Sequence, residues 1–144
     1  MQFWLLKSEP SEYSWQEMET DRVAEWDGVC NYQAQKYMRA MKLGDLAFFY
    51  HTGKEKAILG IVEVFKEYYR TDHPKFGLVD VKFSKSLNNQ VMLQDIKDNP
   101  LLKNMAILKQ PRLSISPVSE IEWNEIIRMS EYKLKVSIEN SFAR

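Results

Sequence analysis

The residues of this sequence that could do chemistry fall into three short polar clusters and one loop. Each cluster follows or interrupts an apolar run, and the loop opens around an Asp-Gly turn. Aromatic faces can stack on a flat ring, and carboxylate, amide and hydroxyl groups can bind its edge. If the fold brings these residues together, they predict a pocket for a planar heterocycle such as a nucleobase. The residues are Lys7, Ser8 and Glu9; Trp26 and Asn31; Tyr50, His51 and Thr52; and Arg112, Leu113 and Ser114.

Metal and cofactor sites lack their usual sequence signals. His51 and His73 have no second His or Cys at the spacing of metal ligands, and Cys30 is the single cysteine. The five glycines are scattered and form no phosphate-binding loop. We therefore expect no metal, no cofactor and no internal disulfide.

Nucleophilic catalysis is the weaker alternative to binding. It would place Cys30 beside His51, with Asn31 or Asp45 orienting the imidazole. No catalytic motif surrounds Cys30, and a lone cysteine is commonly a small buried apolar residue. The sequence therefore favours a protein that is not an enzyme.

Charge is unevenly spread along the 144 residues, although the formal net charge is zero. Residues 1–30 carry a net charge of −5, and residues 31–112 carry +6. The basic middle could face a phosphate backbone or be an ordinary solvated surface. With 44% apolar residues, the chain can bury the core of one domain.

Location and assembly are predicted from what the sequence lacks. No apolar run is long enough for a signal peptide or a membrane span. A single cysteine suits a reducing compartment. We expect a cytoplasmic protein, or a nuclear one in a eukaryote, with no membrane partner, that is a monomer or a weak dimer.

Short strands and helices must position the polar clusters. The apolar run Phe3–Leu6 predicts a buried strand that Pro10 ends, and Ser14 with Glu17 predicts a capped helix. Asn31 predicts the N-cap of a second helix, and Gly44 its end.

The middle of the chain predicts an antiparallel strand pair over residues 46–51 and 57–69. A further strand is expected over 77–84, with a turn at 86–90 and a short edge strand over 111–117. Gly60 indicates a bulge or a close backbone approach. Ser119 and Glu122 predict a helix that runs to about Met129. The fold class expected is α+β, with a curved or barrel-like sheet.

Five segments in this order make the chain similar to EVE-domain proteins: FWLLKSEP, WDGVCNYQAQKYMRAMKLGD, FFYH, ILGIVEV and PRLSISPVSEIEW. The resemblance covers residues 3 to about 130. It implies a single domain over residues 1–144 with a PUA-like fold, a curved, barrel-like mixed β-sheet flanked by short helices. It also implies a relationship to the YTH domains, which read methylated adenine in RNA.

The same resemblance implies a non-catalytic reader of a modified base, with modified cytosine in DNA as the favoured ligand. The base would be flipped into an aromatic and polar pocket formed by the residues named above, together with Tyr32. An RNA-binding module linked to tRNA or rRNA modification is the main alternative, and a cleft for a protein or a small metabolite is another. The chain departs from the family at Cys30, where an Arg is usual, and at residues 70–74.

Overall fold

A computed structural model describes the backbone of residues 1–143 and the side chains of residues 1–131. Over these residues the chain combines six strands with several short helices and one longer C-terminal helix. In order, the elements are β1 (Phe3–Ser8), α1 (Trp15–Asp21), β2 (Val23–Trp26), α2 (Tyr32–Ala40), β3 (Leu46–His51), β4 (Ala57–Tyr69), β5 (Leu78–Met92), α3 (Leu93–Lys97), a 3-10 turn (Pro100–Leu102), α4 (Ala106–Lys109), β6 (Ile115–Val118) and α5 (Glu120–Ala143).

The strands form one six-stranded sheet in the order β2-β5-β4-β3-β1-β6. β1 runs parallel to β3, and the other neighbours are antiparallel. The predicted α+β fold with a mixed sheet and short flanking helices is therefore confirmed. Within the described residues β2 and β6 are the two ends of the strand order, so the sheet is open and does not close into a barrel.

The two faces of the sheet bury two separate cores, because successive side chains of a strand point to opposite faces. In β3, Phe49 belongs to the core that includes Trp15 of α1 and Met38 of α2. Phe48 belongs to the core that includes Trp123 of α5. We call these the α1 face and the α5 face. The same alternation continues to the ends of the strands, where the polar clusters lie.

Two sequence predictions about β5 and its partner have different outcomes. The turn predicted at residues 86–90 is wrong, because β5 continues through it. Long-range pairing overrides the local turn signal: Gly60 pairs with Ser86, Ile58 pairs with Val91, and the register shifts between these pairs. At Gly60 the close approach is confirmed, since a Cβ there would lie 2.0 Å from the Trp15 ring.

The remaining differences concern the ends of elements. Residues 23–26, where the sequence predicts no strand, form β2 and pair with β5. The last helix begins at Glu120, next to the predicted cap, and its backbone continues to Ala143 rather than ending near Met129. No helix in the described part of the chain has both the length and the apolar character that crossing a membrane requires.

Candidate functional site

A cleft of about 460 Å³ opens on the α1 face where β1 ends and β2 leads into its loop. Its walls come from the end of β1, the following turn, β2, the loop before α2 and the residue before β6. We call it the acidic cleft. It is lined by Lys7, Ser8, Glu9, Glu12, Tyr13, Ala24, Glu25, Trp26, Asp27, Gly28, Val29, Cys30 and Ser114.

The charge of this cleft is its main electrostatic feature. One lysine and four carboxylate residues line it: Lys7 against Glu9, Glu12, Glu25 and Asp27. Burial lowers the pKa of the Lys7 ammonium. The cleft therefore favours a ligand edge that donates hydrogen bonds and disfavours a bare phosphate.

Glu9 is the carboxylate whose position is fixed best. Its Oε2 accepts from the Thr52 hydroxyl at 3.0 Å, and its Oε1 accepts from the Ser11 hydroxyl at 3.3 Å. Gly53 lies directly under it with φ +80°, and a Cβ on Gly53 would approach Glu9 Oε2 to 3.2 Å. The positive φ favours glycine there, and a Cβ would make the end of the Glu9 side chain shift slightly. The turn between β3 and β4 thus holds a hydrogen-bond acceptor at the cleft.

Aromatic residues form the apolar wall of the cleft. Trp26 is 8% exposed. Its ring forms T-shaped contacts with the rings of Tyr13 and Phe49, with centroid separations of 6.4 Å and 5.5 Å. Burial, followed by a hydrogen bond to Asp21, raises the pKa of the Tyr13 hydroxyl. Trp26 therefore offers a narrow strip of ring to the cleft, held rigidly by its neighbours.

A second cavity of about 430 Å³ lies beyond Lys7, and we call it the lysine pocket. Three lysines line it and no carboxylate residue does. Burial raises the pKa of Tyr50, whose ring is 4% exposed. The lining residues are Lys7, Tyr50, Thr52, Gly53, Lys56, Leu93, Lys97, Ile107, Leu108 and Pro111.

The predicted site residues are consequently divided. Lys7, Ser8, Glu9, Trp26 and Ser114 line the acidic cleft. Tyr50 and Thr52 line the lysine pocket instead. The physical reason lies in the parallel register, which pairs Lys7 with Tyr50 and Ser8 with His51. Paired residues share a face and successive residues do not.

His51 lines neither cavity. It is 5% exposed, its Nε2 accepts from the Trp15 backbone N–H at 2.9 Å, and its Nδ1 lies 2.9 Å from Glu55 Oε2. Because Nε2 accepts, the proton lies on Nδ1 and is donated to the carboxylate. His51 therefore connects the start of α1 to the end of β3, and its interpretation as a pocket residue is replaced by a structural role.

The remaining predicted residues lie to one side of the acidic cleft. Asn31, Arg112 and Leu113 line a third cavity of about 360 Å³. Asn31 is confirmed as the N-cap of α2, since its Oδ1 accepts from the Ala34 N–H at 2.9 Å. Tyr32 is 67% exposed, and its ring forms a T-shaped contact with the Phe76 ring at a centroid separation of 5.2 Å. None of these four residues lines the acidic cleft or the lysine pocket.

The enzymatic alternative required Cys30 beside His51. Cys30 is exposed at the acidic cleft, and its Sγ lies 3.7 Å from the Gly28 carbonyl oxygen. Both ring nitrogens of His51 are already bonded elsewhere. The two side chains thus form no dyad. Over the residues that the structure describes, no three His, Cys, Asp or Glu side chains gather as a metal site would require.

Sequence reasoning missed several residues of these cavities. Glu12, Tyr13, Glu25 and Asp27 line the acidic cleft. The three acidic residues had a signal in the net charge of −5 over residues 1–30, and Tyr13 had none. Lys56 and Lys97, which line the lysine pocket, had only the general excess of positive charge over residues 31–112 as a signal.

Comparison with known proteins identifies the family. The chain matches the EVE domain over residues 2–129. It belongs to the EVE domain family. The thymocyte nuclear protein 1 of Gallus gallus is 35% identical to this EVE domain, over 90% of the chain and 69% of that protein.

Solved structures agree with the fold. Human THYN1 in complex with DNA containing 5-methylcytosine superposes with a TM-score of 0.85 at 32% identity, covering 91% of this chain and 98% of that one. A YTH domain from Mmi1 superposes with a TM-score of 0.62 at 12% identity, over 94% and 98% of the two chains, which supports the relationship of the folds alone. The resemblance drawn from the sequence is confirmed.

Proposed function

We propose that this EVE domain is a non-catalytic reader of nucleic acid whose acidic cleft receives one modified base, with modified cytosine in DNA as the favoured ligand. The observation that carries the proposal is the Glu9 carboxylate, held by Thr52 and Ser11 at a cleft with an aromatic wall. The likeness to human THYN1, solved with DNA that contains 5-methylcytosine, supports the same ligand class.

The chemistry of the cleft suits the edge of a cytosine. A cytosine presents an amino group that donates hydrogen bonds, and a carboxylate oxygen accepts from it. A base must leave the stack to reach the cleft, which costs a few kcal/mol. A charge-assisted hydrogen bond contributes about 1.5–3 kcal/mol, and contact with the ring contributes about 1–3 kcal/mol. These terms are of the size needed to offset flipping.

A 5-methyl group adds apolar contact without a hydrogen bond. Burying one methyl group is worth about 0.8 kcal/mol, so we expect a modest preference for the methylated base, roughly fourfold. Trp26, Tyr13 and Val29 are among the side chains at the cleft that could supply this contact.

The test is a titration of short duplexes that carry one 5-methylcytosine or one plain cytosine, followed by fluorescence anisotropy. Glu9→Gln is expected to weaken binding about tenfold or more, because it removes the charge from the acceptor. Glu120→Gln, at an exposed position at the start of α5, is the matched control and should bind like the original.

Three outcomes would overturn this proposal. Equal binding of modified and plain duplexes removes the reading of the modification. Absence of binding to either removes DNA as the ligand. If structured RNA displaces the modified duplex at lower concentration than DNA does, the RNA-binding alternative is favoured.

A further inference from the structure

We infer that the lysine pocket is an anion site that binds a backbone phosphate of the nucleic acid whose base enters the acidic cleft. The inference deepens the proposed function and rests on it for the identity of the ligand. The binding chemistry is that of a phosphate group, and a free phosphate shares it.

The lysine pocket has cations without the anions that usually balance them. Lys7, Lys56 and Lys97 line it, and no Asp or Glu does. Among the described residues neither Lys56 nor Lys97 has an ion-pair partner, whereas Lys82 on β5 pairs with Glu63 at 3.3 Å. Three like charges around one cavity repel each other, so an anion bound there is stabilised.

Tyr50 adds a hydrogen-bond donor at the same place. It lines the lysine pocket with only 4% of its surface exposed, and its hydroxyl has no hydrogen-bond partner within the described part of the chain. No fully buried side-chain oxygen or nitrogen lacks a partner in the described part of the chain, so this hydroxyl lies at the surface of the cavity. A phosphate oxygen could accept from it there, since phosphate accepts from hydroxyl and ammonium donors alike.

Lys7 connects the two cavities, because it lines both. Its Nζ donates to the Pro111 carbonyl oxygen at 2.7 Å and lies 6.0 Å from the centre of the Tyr50 ring. An ammonium has three donors, so two remain for a ligand. A base in the acidic cleft and a phosphate in the lysine pocket would therefore lie on the two sides of one side chain.

The backbone under Lys56 is fixed. Lys56 has φ +46°, a conformation that non-glycine residues seldom adopt, and its carbonyl oxygen accepts from the Leu93 N–H at 2.8 Å. Lys97 lies in the last turn of α3, the helix that begins at Leu93. The two lysines are thus presented by elements that are tied to each other.

The first experiment uses no nucleobase. Inorganic phosphate is titrated into the ¹⁵N-labelled full chain and followed by amide chemical shifts. We expect the largest shifts at Thr52, Gly53 and Lys56, and their loss in Lys97→Gln. If phosphate moves no amide of the lysine pocket, or moves it equally in Lys97→Gln, the inference is overturned.

The second experiment measures how DNA affinity depends on salt. Each phosphate contact contributes about −0.9 to the slope of log affinity against log salt. Lys97→Gln and Lys56→Asn are expected to reduce the slope by roughly one each and to weaken binding several-fold. Asn is chosen because it tolerates a positive φ. Lys103→Gln, an exposed lysine that lines none of the cavities described above, is the control and should keep the original slope.

Tyr50→Phe removes only the hydroxyl and leaves the lysines in place. It is expected to weaken binding of phosphate and of DNA about threefold to tenfold, as for the loss of one hydrogen bond. Unchanged binding in Tyr50→Phe would remove the hydroxyl from the site.

The two proposals can fail separately. If phosphate binds in the lysine pocket but modified and plain duplexes bind alike, the base-reading proposal fails and the anion site stands. If the modified duplex is preferred but Lys97→Gln keeps the original salt slope, the anion site fails alone.

Discussion

The acidic cleft and the lysine pocket are neighbours of similar size with opposite charge. Four carboxylates surround the first and three lysines surround the second, and Lys7 belongs to both. Under the two proposals above, this difference would match the two parts of a nucleotide, because a base edge is read by hydrogen bonds and a phosphate by charge. The end of β1 contributes to both cavities, because successive side chains of a strand point to opposite faces of the sheet.

The largest expected effect comes from adding a side chain at Gly60, where the core of the α1 face has no room for one. Gly60→Ala would place a Cβ 2.0 Å from the Trp15 ring. We expect a loss of about 3 kcal/mol in the free energy of unfolding, because an overpacked core must shift. Urea denaturation measures it. Gly44→Ala is the control, since it adds strain at φ +89° without any neighbour within 4 Å and should cost about 1–2 kcal/mol. Equal losses in the two variants would contradict the prediction.

Glu125, a buried carboxylate on α5, provides a comparison with the carboxylates of the acidic cleft. Hydrogen bonds from Arg128 lower the pKa of Glu125 to about 2 from its usual 4.5, against the opposing effect of burial. Because the folded pKa is the lower one, its stabilisation is complete above pH 4.5 and is lost as pH falls towards 2. We expect on the order of 2 kcal/mol to be lost over this window.

Glu125→Gln should make that loss smaller, because the amide does not titrate. Thermal unfolding midpoints between pH 5 and pH 2 provide the measurement, with Glu120→Gln as the exposed control. If the unfolding midpoint of Glu125→Gln falls with pH as steeply as that of the unmodified protein, other carboxylates are responsible for the acid sensitivity.

Gly53→Ala tests the acceptor of the acidic cleft, at a residue that also lines the lysine pocket. Its Cβ would lie 3.2 Å from Glu9 Oε2 and its φ of +80° is unfavourable for alanine. We expect the modified duplex to bind about tenfold more weakly, with about 1–2 kcal/mol lost in stability. Anisotropy titration measures the first and urea denaturation the second. Gly44→Ala has the same strain without the contact, so binding that falls equally there would refute a specific role for Gly53.

Cys30→Arg is expected to have the smallest effect. It adds a positive charge at the edge of the acidic cleft, where the resemblance drawn from the sequence implies an Arg. We expect DNA to bind a few-fold more tightly, with a steeper salt dependence, because one more phosphate contact becomes possible. Cys30→Ser is the control and should bind unchanged. Weaker binding by Cys30→Arg would show that the exposed thiol position faces no phosphate.

The fold could be predicted from local signals wherever these agreed with the packing. Both capping boxes are confirmed: Ser14 with Glu17, and Ser119 with Glu122. The turn predicted at residues 86–90 failed because strand pairing across the sheet is not visible in a local window. β2 was missed because four residues of mixed polarity resemble a connection.

The sequence predicted that polar residues at the ends of strands lie together, but it did not predict that they divide between two cavities. Lys7 and Glu9 were correctly associated with Trp26 at one cleft. Consecutive strand residues cannot all face that cleft, however, so Tyr50 lies in the other cavity. His51 is buried and lines neither cavity. The partners that bury His51 come from α1 and from the turn after β3, which no spacing rule connects.

The open sheet has a consequence for how copies of the chain behave when concentrated. An unpaired outer strand is a template for adding strands from a second molecule. Here both outer strands are only four residues long, and β6 contains Pro117, which has no N–H to offer. We therefore expect strand-by-strand polymerisation to be disfavoured, even though nothing closes the sheet on itself.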